Sequence, residues 1–130
     1  MPRIELSHGE LLDRQTILEL KRARVPDRDL PAVDASLAHV REALAGTDIA
    51  AVQGHVDELR GVNLRLWHLE DEVRGLLARG DVTASRAACE EFARAASRVP
   101  VLNGQRAAAK RAIDAALGHE AHEVKFHTTF

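Results

Sequence analysis

Residues 52–77 read VQGHVDELRGVNLRLWHLEDEVRGLL, and Val52, Val56, Leu59, Leu66, Val73 and Leu77 fall on one row whose steps are built from threes and fours. That period belongs to a helix with a single buried stripe; a half-buried strand would alternate by two. Gly46 before the segment and Gly80-Asp81 after it are stop signals. A long helix from about Asp48 to Arg79, capped by Thr47, is therefore expected. Gly54 and Gly61 are seven apart on one side of it, which predicts close approach by another helix there. Two positions of the same row, Asn63 and Glu70, are polar.

The rest of the chain divides in the same way. Ser7-His8-Gly9-Glu10 has the spacing of a capping box, so a first helix should run from there to about Arg24, closed by Pro26 and Pro31. A second should start at Leu30-Pro31, with the stripe Leu30, Val33, Leu37, Val40 and Leu44, and end at Gly46. Beyond Gly80 a fourth helix should follow Thr83 to about Arg98, and Pro100 should break or kink it. A fifth segment from Val101 would then reach Leu117 before Gly118. Short connections favour antiparallel neighbours. The expectation is an all-α, up-and-down bundle of four to five helices with a long third helix and essentially no strand. Its core should come from the stripes of the second and third helices. Residues 1–118 would form the bundle domain and 119–130 a C-terminal tail.

Composition agrees and narrows the function classes. The 130 residues suit one domain, and 45% apolar with 29% charged residues is a globular mixture. Tyrosine is absent, and there are three phenylalanines and one tryptophan, too few aromatics for an extensive sheet. No apolar run is long enough for a membrane span. The start, Met1-Pro2-Arg3-Ile4-Glu5-Leu6, lacks the apolar core of a secretory signal, so a cytoplasmic location is expected. The net charge of −2 argues against a nucleic-acid partner held by overall basicity.

The polar seam residues carry the functional reading. On the fifth segment the seam runs Val99, Asn103, Arg106, Lys110, Ile113, Leu117, with three consecutive polar positions. The first helix puts Glu10, Asp13, Lys21 and Arg24 on the side of Ile17. Unpaired buried charge costs several kcal/mol, so such residues are expected to find one another. Glu70, buried, and Asp13 are expected to face Arg106 and Lys110, with Asn63 and Asn103 completing the network. That layer would either fix helix register, as a buried asparagine does in coiled coils, or form the floor of a ligand site. Trp67-His68-Leu69-Glu70-Asp71 with Arg74 is the densest group of chemically able side chains. Glu70, Asp71 and His68 are the candidate acid–base residues. Asp13, Lys21, Asn63, Trp67, Arg74, Asn103, Arg106 and Lys110 are the candidate ligand contacts.

Other chemistries find little support. No Glu-x-x-His lies on the central helices, so a ferritin-type di-metal site is not indicated. His119-Glu120-Ala121-His122 has one residue between Glu and His where a zincin helix needs two. With His127 these histidines read as a polar tail. Cys89 is the only cysteine, so no intramolecular disulfide can form, and the acidic setting of Glu90-Glu91 beside it does not suit a nucleophilic thiol. No Gly-x-Ser-x-Gly, P-loop or Gly-x-Gly-x-x-Gly occurs, and neither a metal nor a cofactor is implied.

Several stretches together resemble a family of small helical bacterial proteins classed as a domain of unknown function. They are Ser7-His8-Gly9-Glu10-Leu11 with Asp13, Thr16-Ile17-Leu18 and Lys21; Asn63, Leu66-Trp67, Glu70-Asp71 and Arg74; Asn103, Arg106, Lys110 and Ile113; and Glu123 with Lys125. The run from Asn63 to Arg74 is also similar to a second uncharacterised family. Phe126 stands where such proteins often have tyrosine, and residues His127 to Phe130 depart from the pattern. The resemblance implies a helical fold and a setting near the glycosyltransferases of surface-polysaccharide assembly. It implies no activity.

Two classes of function follow. One is a small protein, an enzyme or an accessory of glycoconjugate metabolism, whose cationic residues hold a phosphate- or carboxylate-bearing small molecule. Asp13 to Val25 is faintly similar to the first helix of chorismate mutases, which gives a pericyclic version of that idea. The other is a non-catalytic module, homo-oligomeric or docked on a partner protein, using the long third helix and the stripe of the second.

Overall fold

The computed structural model describes residues 3–118 and 121–125. Ser7 opens the first helix as expected: its side chain accepts a hydrogen bond from the Glu10 amide at 3.2 Å, and α1 runs from His8 to Arg22. A single 3-10 turn at Asp27–Asp29 leads into α2, Leu30–Ala43, with Pro31 in its first turn. Gly46 then adopts a φ of +85°, which only glycine takes up without strain. A second 3-10 turn, Ile49–Val52, feeds α3, Gln53–Ala78. The α3 entry carries no side-chain cap from its N-cap residue, Val52, so the cap expected from Thr47 is not made.

The last helix departs from expectation. α4 is continuous from Arg86 to Leu117, with Ser85 at its cap and Pro100 inside it. Pro100 is exposed, while Val99 and Leu102 on either side pack against α3. That packing holds the helix through a residue that forfeits one backbone bond. Among the described residues there are therefore four α-helices.

Strand is also present. β1, Arg3–Ser7, pairs antiparallel with β2, Ala121–Lys125, in the register Arg3 to Lys125 and Ser7 to Ala121. Part of the expected tail thus closes back on the start of the chain. His122 lies opposite Leu6 in that ladder; His119, Phe126 and His127 lie outside the described residues.

The helices alternate in direction, and α1 is the hub, packing on α2, α3 and α4. Leu11, Leu12 and Leu18 of α1 join Val33, Leu37, Val40 and Leu44 beside α2, Val56 and Leu59 of α3, and Ala109 and Ile113 of α4 in one core. The core is thus not confined to the second and third helices, and the α2 stripe is consumed inside the molecule. A smaller cluster of Leu69, Leu76 and Ala95, with Val73, Phe92, Val99 and Leu102, fills the far half of the α3–α4 hairpin.

Close helix approach occurs at a glycine other than the two expected. Nothing lies within 4 Å of a side-chain carbon placed on Gly54 or Gly61, whereas on Gly9 it would sit 2.4 Å from the Lys110 carbonyl oxygen. Gly9 also donates its amide to Asp114 Oδ1 at 2.7 Å, a carboxylate bound to the positive end of α1. Gly9→Ala should therefore lower the unfolding free energy by about 1–3 kcal/mol through overpacking. Gly54→Ala and Gly61→Ala should raise it by about 0.5–1 kcal/mol through helix propensity. Urea midpoints of the three variants measure this, and a Gly9→Ala midpoint at or above the parent's would refute the close contact.

Candidate functional site

The polar layer exists, and Asp13 is its centre. Asp13, Thr16 and Asn63 are all buried. Arg106 of α4 reaches across and donates from Nε to Asp13 Oδ1 at 2.9 Å, while Nη2 donates to Oδ2. Asn63 of α3 donates from Nδ2 to Asp13 Oδ1 at 2.9 Å and to Thr16 Oγ1 at 2.7 Å. The Thr16 hydroxyl gives its own proton to the Asp13 carbonyl at 2.8 Å. Both groups facing Asn63 thus have only lone pairs to offer, which orients its amide.

Electrostatics follow from that geometry. The Arg106 guanidinium is pushed above its already high ordinary pKa by its hydrogen bonds to Asp13, against the opposing effect of burial. The charges of Asp13, Glu10 and Glu70 add to the stabilisation of the cation. Arg106 consequently holds its proton more firmly than a free guanidinium does. One turn along α4, Lys110 pairs with Glu10 at 2.6 Å, a separate bridge near the start of α1.

Above the Asp13 layer a cleft of about 330 Å³ opens between α1, α3 and α4. Asn63 and Arg106 lie at its polar end, Ile17, Leu20 and Leu66 give it apolar wall, and Lys21, Trp67 and Glu70 complete it. The guanidinium carbon of Arg24 lies 5.6 Å from the centre of the Trp67 ring, a distance at which cation and ring attract.

The structure brings six of the expected site residues together and leaves the others apart. Asp13, Lys21, Asn63, Trp67, Glu70 and Arg106 belong to the layer or its cleft. Glu70 is exposed, not buried, and is not the partner of Lys110. The reason is the length of α1: the row Val56, Asn63, Glu70, Leu77 faces α1, which covers the first two and ends before the last two. Past Leu66 the buried row of α3 moves to Leu69, Val73 and Leu76, towards α4.

The remaining candidates lie elsewhere. Asp71 and Arg74 form an exposed ion pair with each other, and His68 lines a different groove on the opposite side of the hairpin. Asn103 is exposed on α4, outside the network. Thr16 was legible only as part of a motif. Its role could have been suspected from its spacing, since Asp13 and Thr16 are one turn apart on the face of Ile17.

Among the described residues no group of three or more His, Cys, Asp or Glu side chains converges as a metal site. Among them also, no helix is long and apolar enough to cross a membrane. Compared with known proteins, the chain matches no family model, no curated protein and no solved structure.

Truncating Asp13 would leave Arg106 without its carboxylate and Asn63 with Thr16 alone, and one-sided loss of a buried charged pair costs about 3–5 kcal/mol. Asp13→Ala should unfold at a correspondingly lower denaturant concentration. Glu70→Ala should stay within about 0.5 kcal/mol of the parent, as exposed sites do. Equal losses in the two variants would contradict the assignment of the layer to Asp13.

Proposed function

We propose that the cleft between α1, α3 and α4 binds a small anionic molecule carrying one carboxylate or phosphate on an apolar or aromatic body. The observation that carries this reading is the cleft's composition. Cationic Lys21 and Arg106 share it with Trp67 and three aliphatic side chains. Arg106 meets Asp13 side-on through Nε and Nη2, so Nη1 is not engaged by that carboxylate. With about a third of the side chain exposed, it has a donor edge to offer an incoming oxygen.

Charge arithmetic limits the ligand. Arg106 and Asp13 neutralise each other, and Lys21 and Glu70 carry opposite unit charges at the same cleft. A site so balanced favours a monoanion or a zwitterion, whose ammonium would face Glu70, over a nucleotide sugar with several negative charges. A dicarboxylate clamp of the pericyclic kind would need two cations uncommitted to the protein itself. The volume is at the lower end of small-molecule sites. Among the described residues that line the cleft, Glu70 is the one carboxylate and would be the group for proton transfer, and a reaction is not required by anything in the arrangement. A cytoplasmic accessory of glycoconjugate metabolism remains compatible with such a site, and rests on the resemblance alone.

Trp67 is the only tryptophan, so its fluorescence reports occupancy directly. Aromatic and aliphatic monocarboxylates, amino acids and sugar monophosphates should be titrated against matched sodium chloride. A true ligand should change Trp67 emission saturably and raise the thermal midpoint by mass action. Lys21→Gln, which leaves the Asp13 layer intact, should weaken binding by roughly tenfold, the loss of one charge-assisted hydrogen bond. If no compound moves emission or midpoint beyond the salt control, the anion-binding reading fails.

A further inference from the structure

Beyond the level of Trp67 the described residues pack as two helices, α3 and α4. Arg24, just past the end of α1, lies beside that ring, yet α3 continues to Ala78, a further rise of about 16 Å at 1.5 Å per residue. The apolar cluster of this far half is built from α3 and α4 alone. A helix in a two-helix hairpin covers one stripe and leaves its flanks bare. Val101 is 60% and Leu77 54% exposed, the two large apolar side chains most open to water among the described residues.

One side of the hairpin is a groove of about 320 Å³ with Leu69 and Leu102 at its floor, Val101 on its rim, and Arg65, Glu72 and Arg98 around it. Glu72 is level with Arg98 at 3.7 Å and Arg79 with Glu91 at 3.2 Å. This antiparallel level places the midpoint of the groove at His68–Leu69 on α3 and at Val101–Leu102 on α4. Arg65 and Glu72 stand equally far on either side of that midpoint, on the same face of α3 and of opposite sign.

We infer that this groove is the interface of a homodimer in which a second copy stacks on it about a twofold axis through that midpoint, perpendicular to the helices. That operation lays α3 antiparallel on α3 of the second copy and α4 on its α4, forming a four-helix bundle from two hairpins. Arg65 then meets Glu72 of the partner subunit, and the reverse pair forms at the other end. Val101 packs on Leu102 of the partner subunit, covering the apolar rim. Arg65 and Glu72, of opposite sign and equally far from the axis, are self-complementary and select a second copy as the occupant, because an isologous contact needs such residues to meet their own rotated images; Arg98 stays beside Glu72 of its own chain. The inference is independent of the anion cleft, which opens where α1 meets the hairpin.

Sedimentation equilibrium across a range of concentrations tests it. The parent should be a dimer or a concentration-dependent monomer–dimer mixture. Val101→Glu should be monomeric with an unchanged circular dichroism spectrum. Arg65→Glu and Glu72→Arg each place two like-charge pairs across the axis and should each be monomeric, whereas an equimolar mixture restores both pairs and should dimerise. A parent that is monomeric at every concentration would overturn the inference. So would a dimer that Val101→Glu leaves intact, or a mixture as monomeric as its components.

Discussion

A single buried carboxylate ties three helices together. Asp13 has been taken out of water, a step that costs several kcal/mol unless the lost hydration is replaced. Arg106 and Asn63 replace it from two other helices, and Thr16 closes the remaining polar atoms into the same network. The bonds are directional, so the network fixes the level and rotation of α1 against α3 and α4 together, which apolar packing alone does loosely. Gly9 and its bond to Asp114 pin the start of α1 one turn further on. With both points fixed, the place where α1 ends against α3 is fixed as well.

The same carboxylate sets what the cleft can do. Arg106 without Asp13 would be a mobile cation free to wrap any anion; side-on to Asp13 it is held, neutralised and aimed. A preorganised donor loses little entropy when it binds, but a neutralised one attracts less from a distance. Recognition in such a site depends on hydrogen-bond direction and apolar contact rather than on long-range attraction. This is the physical basis for choosing a small amphiphilic anion over a highly charged one.

Much of this was legible in the sequence, and the misses share a cause. The helix starts at Ser7 and Leu30 and the left-handed Gly46, Gly80 and Gly118 follow from local chemistry, and the structure has them. The polar interruptions at Asp13, Asn63 and Arg106 announced a network because each broke an apolar row. Glu70 broke its row in the same manner, yet whether a row position is buried depends on how far the neighbouring helix extends. Nothing local to Glu70 encodes that length. Gly54 and Gly61 had the spacing of a contact without a partner opposite them, while Gly9, hidden inside a capping sequence, had the partner. Pro100 shows the converse: its local rule is strong, and tertiary packing of Val99 and Leu102 outweighed it. The strands escaped notice because Arg3–Ser7 and Ala121–Lys125 are short, polar and far apart in sequence, and a pairing of that kind leaves no periodic trace.

The inequality of helix lengths links the cleft to the hairpin beyond it. α1 has 15 residues, whereas α3 has 26 and α4 has 32. If α1 ran two turns further it would cover Glu70 and Leu77, continuing the row already buried at Val56 and Asn63, and the cleft would be filled by side chains. Because it stops at Arg22, the apolar row of α3 must turn towards α4 to stay buried, leaving Trp67 and Glu70 at an open step. The same stop leaves the outer half of the hairpin with only one mutual face covered. A ligand-sized recess and an unpaired two-helix surface are thus consequences of one geometric fact. They lie at different levels along α3, the recess at Asn63 to Glu70 and the groove centred on His68–Leu69 around the other side. A helix that is buried on one side by α1 and on the next by α4 has two remaining faces to offer, and its polar residues divide between them: Glu70 to the cleft, Arg65 and Glu72 to the groove.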